Sequence, residues 1–418
     1  MDQIIIHGGR RLKGEVRTSG AKNAALPILA STILGGGECV LSNMPSVVDV
    51  LTMGKLLRML GIAVAQEGEH TVVDAQIIAS TEAPYDLVRT MRASVLVLGP
   101  LVARMGEAKV SLPGGCAIGS RPVNFHLAGL EKMGATVEIE HGYIKATARR
   151  LRGSRIYFDT PSVTGTENLM MAAVLAEGTT VLENAAKEPE ISDLAAFLVK
   201  RGARIAGAGT DMITIEGVTE LHGADHDVIP DRIEAGTYLV AGAITGGEIS
   251  VKRCRPEHME PLLVKLRESG VELAEEGDRV HLKVIGRLKG TNVRTSPHPG
   301  FPTDMQAQFV ALMAVAEGTS VVTETIFESR FMHVEELRRM GAEIRVEGNR
   351  VVITGREGLT GAPVMASDLR ASAGLIVAGL AAEGITEVSR VYHLDRGYER
   401  LEDKLKALGA SIERRKGK

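Results

Sequence analysis

Leu57-Arg58-Met59-Leu60-Gly61 reads as the apolar end of a helix closed by a glycine, and this short stretch decides the fold because it recurs. Further copies of the pattern close at Gly134, Gly202, Gly270, Gly341 and Gly409. Neighbouring copies lie 68 to 73 residues apart in a chain of 418 residues. Spacing this regular indicates six copies of one structural unit of about 70 residues.

Two further landmarks keep the same period. A glycine precedes an alternating, strand-like segment at Gly37, Gly106, Gly178, Gly247, Gly318 and Gly384. A Leu-x-Gly element, as in Leu12-Lys13-Gly14, opens most copies. Three landmarks in phase are not explained by chance spacing, so we interpret the chain as a sixfold repeat.

The order of elements within one unit follows from its hydrophobic pattern. An apolar helix is predicted over 166–176 and a β-branched strand over 179–182. A strand pair over 342–346 and 350–354, joined by a tight turn, closes a unit. The sequence therefore predicts β-α-β-α-β-β units of the α/β (α+β) class. Two globes of three units and a single ring of six units both fit the spacing.

Composition excludes several classes of protein. Hydrophobic residues make up 44% of the chain and charged residues 24%, which is ordinary for a globular protein. Aromatic residues make up only 3% and the net charge is −3, so a nucleic-acid binder with stacking aromatics or a basic surface is not expected. Three cysteines favour a reducing compartment, and no apolar run is long enough to span a membrane. We expect a cytoplasmic protein that binds neither nucleic acid nor membrane.

The junction before the first helix of each unit mixes charged and capping residues. Lys22 and Arg92 lie in two of these junctions. A cation at a helix N-terminus is unfavourable for the helix dipole, so its presence there points to an anionic ligand. Ordinary caps with solvated charges are the competing interpretation.

A glycine-rich segment over 111–122 interrupts the repeat and holds Cys116 and Arg121. Such loops can act as lids, and a nearby cation favours the reactive thiolate form of a cysteine. We therefore predict a functional thiol at Cys116, whereas Cys39 and Cys254 are predicted to be buried core residues.

Four separated segments resemble one enzyme family. They are Ser19-Gly20-Ala21-Lys22-Asn23-Ala24-Ala25-Leu26-Pro27, Leu112-Pro113-Gly114-Gly115-Cys116, Pro297-His298-Pro299-Gly300-Phe301-Pro302-Thr303-Asp304-Met305-Gln306 and His393-Leu394-Asp395-Arg396-Gly397-Tyr398-Glu399. Together they resemble the UDP-N-acetylglucosamine 1-carboxyvinyltransferases, bacterial enolpyruvyl transferases, and the likeness covers essentially the whole chain.

The resemblance implies two inverse α/β barrel domains of three units each, with the active site in the cleft between the domains. One domain is expected at 22–229, with the Cys116 loop as its lid, and the other is expected to join 1–21 with 230–418. The implied reaction transfers the enolpyruvyl group of phosphoenolpyruvate to the 3′-hydroxyl of UDP-N-acetylglucosamine and releases phosphate. It passes through a tetrahedral ketal and begins peptidoglycan synthesis, and hence serves cell-wall growth and division.

The resemblance also implies that no metal or organic cofactor is needed and that fosfomycin alkylates the lid cysteine. The two substrates are the expected partners, and the expected state is a monomer.

Residue roles are carried over from the same resemblance. Lys22, Arg121 and Arg396 match the residues that bind phosphoenolpyruvate. Cys116 matches the general acid, and Asp304 matches a residue that is either the base for the sugar hydroxyl or the group that orients it.

Asn23 matches a residue at the sugar and the reaction centre, and Arg330, Asp368 and Arg370 are expected to support the site. The positions that hold the UDP-sugar correspond to Arg92, Arg121, Pro122, Val123, Asn124, Phe125, Ser162, Val163, Thr164 and Ile326. Two of them depart from the pattern, because many members have Asp at position 124 and Gly at position 164.

Three other functions compete with this interpretation. A 5-enolpyruvylshikimate-3-phosphate synthase would share fold and donor but lack the Pro-Gly-Gly-Cys segment. A non-catalytic ring built from α/β units would carry excess Lys and Arg, whereas this chain has 49 of them against 52 Asp and Glu. A regulatory paralogue without activity is disfavoured by the retained Lys22, Cys116, Asp304 and Arg396.

Overall fold

A computed structural model describes residues 2–89, 91–112, 123–327 and 329–417. Counted over these residues, the chain divides into two compact units. The terminal unit comprises 2–19 and 230–417 and so holds both ends of the described chain, and the internal unit comprises 20–112 and 123–229. The chain passes from one unit to the other at 19–20 and returns at 229–230.

The described residues form short strands and longer helices in alternation. The strands are β1 Gln3–His7, β2 Lys13–Arg17, β3 Glu38–Ser42, β4 Ala63–Glu67, β5 His70–Asp74, β6 Glu82–Ala83, β7 Glu107–Ser111, β8 Thr136–Glu140, β9 Tyr143–Thr147, β10 Arg155–Tyr157, β11 Thr179–Glu183, β12 Arg204–Ala206, β13 Met212–Glu216, β14 Asp225–Asp227, β15 Glu248–Lys252, β16 Val271–Glu276, β17 Arg279–Val284, β18 Val293–Arg294, β19 Thr319–Thr323, β20 Glu343–Glu347, β21 Arg350–Thr354, β22 Pro363–Met365, β23 Ile385–Ser389 and β24 Ser411–Arg415. The α-helices are α1 Lys22–Ser31, α2 Val48–Met59, α3 Tyr85–Val88, α4 Leu98–Met105, α5 Asn124–Lys132, α6 Val163–Val174, α7 Pro189–Lys200, α8 Arg232–Ile244, α9 Glu260–Glu268, α10 Gln306–Met313, α11 His333–Arg339, α12 Leu369–Ala381 and α13 Leu401–Ala407.

Within the described part of the chain, six four-stranded sheets with one common topology carry the repeat. Their strand orders are β14-β3-β5-β4, β6-β7-β9-β8 and β10-β11-β13-β12 in the internal unit, and β2-β15-β17-β16, β18-β19-β21-β20 and β22-β23-β1-β24 in the terminal unit. In each sheet the first strand of this order pairs in parallel with the second, and the remaining pairs are antiparallel. The predicted six copies, three to each unit, are thus confirmed.

Three strands join sheets whose other strands lie far away in the sequence, and one of them is β2, which pairs with β15. The last sheet takes its third strand, β1, from the beginning of the chain, where it pairs with both β23 and β24. The first sheet of the internal unit takes its parallel edge strand, β14, from the end of that unit. The repeats therefore close on themselves within each unit, and neither unit is a simple string of copies.

Each unit packs three inner helices in its core, namely α1, α4 and α6 in the internal unit and α8, α10 and α12 in the terminal unit. The other long helices are called outer helices here. Every residue from Ile233 to Ile244 of α8 and every residue of α10 is buried, and so are nearly all residues of α6 and α12. A helix that is apolar on all sides belongs in the interior. The sheets alternate buried and more exposed residues, as in β11 and β19, because only one face meets the core. Each unit has its own hydrophobic core.

The glycines of the opening pattern have a conformational role. All six, from Gly61 to Gly409, have φ between 87° and 107°, the left-handed region in which a helix is commonly closed. Each follows the last turn of an outer helix such as α2 or α13.

Among the described residues, no helix has both the length and the apolar character that crossing a membrane requires.

Candidate active site

The residues predicted to be functional lie mostly at the N-terminal ends of the inner helices. Lys22 begins α1, Ser162 precedes α6 and Asp368 precedes α12. Asp304 lies in the 3-10 turn that leads into α10. The repeat therefore presents equivalent helix ends, which offer unpaired backbone N–H groups, and the chain places different side chains on each.

In the terminal unit, Asp304 lies between two buried arginines. Its Oδ1 is 2.9 Å from Nη2 of Arg330, and its Oδ2 accepts from Nη2 of Arg370 at 2.8 Å. The arginine side chains are 6% and 3% exposed, against 24% for Asp304. A carboxylate oxygen can accept more than one hydrogen bond, so a hydroxyl donor is chemically compatible with this group.

Helix α12 fixes the position of Arg370. Asp368 caps this helix by accepting from the backbone N–H groups of Arg370 and Ala371 at 2.9 and 3.1 Å. Burial opposes the charge of Arg370, but the nearby Asp304 carboxylate and its hydrogen bond raise the pKa of the guanidinium above its ordinary value. Arg370 therefore remains a permanent cation beside Asp304.

Two histidines surround this cluster. Burial lowers the pKa of His333 to about 4; the charge of Asp368 opposes that shift and Arg330 adds to it. Burial also lowers the pKa of His393. The charge of Asp368 opposes this shift, and the charges of Arg396 and Arg390 add to it. Arg396 ends the 3-10 segment that contains His393. The structure thus gathers five of the predicted residues, Asp304, Arg330, Asp368, Arg370 and Arg396, around one end of the terminal unit.

The loop after β19 holds Ile326, the remaining predicted residue of this unit. The backbone N–H of Ile326 donates to Oε1 of Glu324 at 2.8 Å, and that of Phe327 donates to the same oxygen at 3.2 Å. Glu324 also accepts from the hydroxyl of Thr303, the neighbour of Asp304, at 2.8 Å. Sequence reasoning missed Glu324, because its partners lie far away in the sequence.

In the internal unit, Lys22 and Asn23 open α1. The Lys22 ammonium lies 3.4 Å from Oδ2 of Asp49 on α2, and the two side chains are 12% and 4% exposed. Asn23 is half-buried beside it. A nearly buried lysine at a helix N-terminus is the arrangement that an anionic ligand would stabilise.

Ser162, Val163 and Thr164 form the N-terminal turn of α6. Ser162 is its N-cap, and the Ser162 hydroxyl accepts from the backbone N–H of Gly165 at 3.2 Å. All three residues before Gly165 are only half-buried, whereas the helix after it is buried. This end of α6 is therefore an accessible group of hydrogen-bond donors suited to an anionic oxygen.

A buried hydrogen-bond chain determines whether the Thr164 hydroxyl donates its proton to His126 or to a ligand. The backbone N–H of Gly99 donates to Oδ1 of Asn168 at 2.8 Å, so the Asn168 amide nitrogen must face Nδ1 of His126, 2.7 Å away. Burial, together with the charge of Arg92, lowers the pKa of His126 to about 4, so the ring is neutral near pH 7. Its proton then lies on Nε2, 3.4 Å from the Thr164 oxygen. The hydroxyl accepts there, and its own proton can go to a ligand.

The other predicted residues of this unit that the structure describes lie at Arg92 and at the start of α5. Arg92 begins a 3-10 segment that leads into α4, and its charge acts on His126. Val123 precedes α5, which begins with the exposed Asn124. Phe125 packs edge-on against Phe158, with ring centroids 6.0 Å apart.

Three predicted residues, Cys116, Arg121 and Pro122, lie outside the described residues. Cys39 and Cys254 are buried, as expected. Within the described ranges, no group of three or more His, Cys, Asp or Glu is arranged to hold a metal ion.

The comparisons with known proteins give the class of this chain. Residues 6–405 match the model of the family described as EPSP synthase (3-phosphoshikimate 1-carboxyvinyltransferase). The chain therefore belongs to the EPSP synthase family and is an enolpyruvyl (carboxyvinyl) transferase.

Individual proteins of known sequence or structure show which enolpyruvyl transferases this chain is similar to. The chain is 59% identical, over 419 aligned residues and 100% of both chains, to a UDP-N-acetylglucosamine 1-carboxyvinyltransferase of Myxococcus xanthus (strain DK1622). It is similar to the crystal structure of the enolpyruvyl transferase NikO from Streptomyces tendae, with a TM-score of 0.90, 27% identity and coverage of 99% of this chain and 98% of that one. An EPSP synthase from Acinetobacter baumannii matches with a TM-score of 0.77 and 19% identity over 100% of both chains, which supports the fold alone.

Proposed function

We propose that this chain transfers the enolpyruvyl group of phosphoenolpyruvate to the 3′-hydroxyl of UDP-N-acetylglucosamine and releases phosphate, the first committed step of peptidoglycan synthesis. The full-length likeness to the Myxococcus xanthus enzyme of that name is the observation that carries the proposal. The site supports it, because both substrates are anions and several of the candidate residues are cations or lie at helix N-termini.

The proposed reaction is an addition followed by an elimination. The sugar hydroxyl loses its proton and its oxygen bonds to C2 of phosphoenolpyruvate, while C3 gains a proton. The resulting ketal then loses a proton from C3 and phosphate from C2, which restores the double bond. Proton transfers of this kind need an acid and a base within hydrogen-bond reach of the reacting atoms.

Residue roles follow the resemblance and the geometry. Asp304 accepts the hydrogen bond of the sugar hydroxyl, either as its base or as the group that orients it. Cys116 supplies the proton to C3. Lys22, Arg121 and Arg396 bind the phosphate and carboxylate groups of phosphoenolpyruvate.

The remaining candidates bind the UDP-sugar or keep Asp304 in position. Arg330, Asp368 and Arg370 keep Asp304 in position, and Asn23 contacts the sugar. The UDP-sugar is held by Arg92, Arg121, Pro122, Val123, Asn124, Phe125, Ser162, Val163, Thr164 and Ile326.

Phosphate release from phosphoenolpyruvate tests the reaction. Release is measured with UDP-N-acetylglucosamine and, separately, with shikimate 3-phosphate as acceptor. We expect release with the UDP-sugar only, and its near-complete loss in Cys116→Ala. Asp193→Asn, at a buried aspartate paired with His226 and not assigned to either substrate, is the control and should keep the wild-type rate. Release with shikimate 3-phosphate alone would replace the proposed acceptor, and release with neither would contradict the proposal.

Fosfomycin tests the role assigned to Cys116. The thiolate sulfur would bond to an epoxide carbon, the carbon–oxygen bond would break and the alkoxide would take up a proton. We expect intact mass to rise by one inhibitor in the presence of the UDP-sugar, and not in Cys116→Ala. An unchanged mass of the wild-type protein would contradict this role.

A further inference from the structure

Glu324 is a fully buried carboxylate, 0% exposed, directly after β19. Its Oε1 accepts from the Thr295 hydroxyl at 2.7 Å and from the backbone N–H groups of Ile326 and Phe327 at 2.8 and 3.2 Å. Its Oε2 accepts from the Thr303 hydroxyl at 2.8 Å. Burying a carboxylate is costly unless its lone pairs are satisfied, and here four donors satisfy them.

These donors belong to the two loops that carry Asp304 and Ile326 in the terminal unit. Thr295 and Thr303 are the two ends of one loop, and Asp304 follows directly. Ile326 and Phe327 belong to the loop after β19. A single carboxylate therefore closes the first loop at both ends and fixes the backbone of the second.

The network continues from Glu324 to the carboxylate assigned to the acceptor hydroxyl. Arg330 donates from Nη1 to the Thr303 hydroxyl at 2.9 Å and from Nη2 to Oδ1 of Asp304 at 2.9 Å. Thr303 thus accepts from Arg330 and donates to Glu324. A shift of Glu324 would be transmitted to Asp304 through Thr303 and through Arg330.

Equivalent positions in the internal unit show that the repeat itself does not require this carboxylate. Asn184 follows β11 as Glu324 follows β19, and its side chain donates to the backbone carbonyl of Phe158 at 2.7 Å. Asn43, after β3, donates to the carbonyl of Val228 at 2.6 Å in the same way. Both asparagines have positive φ, 51° and 56°, and each side chain donates one hydrogen bond to a backbone carbonyl. Glu324 reverses the polarity, since it accepts rather than donates.

We propose that Glu324 is a positioning residue for the reaction: it holds Asp304, through Thr303 and Arg330, and the Ile326 backbone in one geometry. The inference rests on the proposed function, in which Asp304 acts on the acceptor hydroxyl. Glu324 touches no substrate in this scheme. Its contribution is to keep the carboxylate of Asp304 in register with the hydroxyl, where a misplacement of about 1 Å can cost on the order of 100-fold in rate.

Glu324→Gln is the direct test, because it keeps the shape and removes one acceptor. The two backbone amides at Oε1 cannot accept, so the new NH₂ group must face Thr303. The Thr303 hydroxyl already accepts from Arg330 and would lose its own acceptor. We expect kcat to fall by about 10- to 100-fold with little change in the KM for phosphoenolpyruvate. Hydrogen exchange should rise in peptides covering 295–304 and 324–327.

Two further variants separate positioning from folding. Thr303→Val breaks the same link and should lower kcat in the same direction, and the double variant should lose no more than the stronger single variant. Glu402→Gln is the control, since Glu402 is 12% exposed, pairs with Arg414 at 2.6 Å and is not linked to Asp304. It should lower stability without changing kcat.

The outcomes are distinguishable. Wild-type protein without phosphate release would contradict the proposed function, while the exchange data would still report whether Glu324 fixes the two loops. Active wild type with an unchanged kcat in Glu324→Gln, or additive losses in the double variant, would overturn the positioning role.

Discussion

Two groups of candidate residues, one in each unit, hold polar side chains at inner-helix ends by opposite means. The terminal unit uses full charges, with Asp304 between the buried guanidinium groups of Arg330 and Arg370. In the internal unit the Lys22–Asp49 pair at α1 is also charged, but the group at the end of α6 uses neutral hydrogen bonds that run from Gly99 through Asn168 and His126 to Thr164.

The difference teaches how tolerant each group is to change. A buried ion pair that loses one partner leaves an uncompensated charge, whereas a neutral hydrogen-bond chain can lose a terminal hydroxyl at the cost of one bond. We therefore expect large, coupled effects around Asp304 and small, separable effects around Thr164.

The largest effect is expected for Arg370→Leu. It removes the Arg370 cation while Asp304 keeps Arg330, and it should lower the free energy of unfolding by about 1.5–3 kcal/mol, together with nearly all activity. Denaturant unfolding measures the free energy of unfolding, and phosphate release measures the activity. Arg155→Leu, which breaks the exposed pair with Glu183, is the control and should change stability little. Equal losses in the two variants would contradict the contrast between buried and exposed pairs.

The pH dependence of stability tests the neutral state of His126. Its pKa is about 4 in the folded chain against an ordinary value of 6.5, so below pH 6.5 the unfolded chain takes up a proton that the folded chain does not. The contribution of neutral His126 to the free energy of unfolding is fully present above pH 6.5 and is lost as pH falls toward 4. The expected loss between pH 7 and pH 5 is about 2 kcal/mol.

His126→Gln removes this titration and keeps an amide that can accept from Asn168. Its unfolding free energy, measured from pH 7 to pH 5, should fall less steeply than that of the wild type by the same amount. His333, whose pKa is shifted in the same direction, is present in both proteins and cancels in the difference. Parallel profiles would show that His126 is not held neutral.

A smaller effect is expected for Thr164→Val. The variant keeps the shape and removes one hydroxyl donor, so the KM for the UDP-sugar should rise about 5- to 10-fold, or about 1 kcal/mol, with kcat nearly unchanged. Steady-state kinetics with saturating phosphoenolpyruvate measure it. Thr164→Ser restores the hydroxyl and should restore the KM; a KM that is high in both variants would exclude the hydroxyl as the cause.

The smallest effect is expected for Asn124→Asp, which introduces the residue that many members have. A carboxylate in the first turn of α5 should raise the free energy of unfolding by about 0.3–1 kcal/mol. The gain is electrostatic, so it should shrink in high salt. Denaturant unfolding at low and high salt checks this, and a gain independent of salt would assign it another cause.

Much of the fold could be predicted from the sequence, because the recurring pattern identifies elements that a single copy leaves ambiguous. The predicted strands at 342–346 and 350–354 correspond to Glu343–Glu347 and Arg350–Thr354. The helix predicted over 166–176 begins earlier, at Val163, because Ser162 caps it and the polar turn that follows already has helical geometry. Apolar periodicity does not readily detect a first turn in which Thr164 and Gly165 separate Val163 from the apolar residues of the helix.

The candidate site was predictable only where a residue type is informative by itself. Lys22 at a helix start is such a case. Glu324 is not, because its role depends on hydroxyls 29 and 21 residues away in sequence. His126 is similar, since its partner Asn168 lies 42 residues further on. Contacts of this kind are made by the closed repeats and leave no local pattern.

The central contrast is tested most directly by steady-state kinetics of Asp304→Asn and Thr164→Val, measured side by side with phosphoenolpyruvate and UDP-N-acetylglucosamine. Asp304→Asn should lower kcat by at least about 100-fold, whereas Thr164→Val should act on the KM for the UDP-sugar alone. A normal kcat in Asp304→Asn, with any loss confined to KM, would contradict the assignment of the charged cluster to the chemical step.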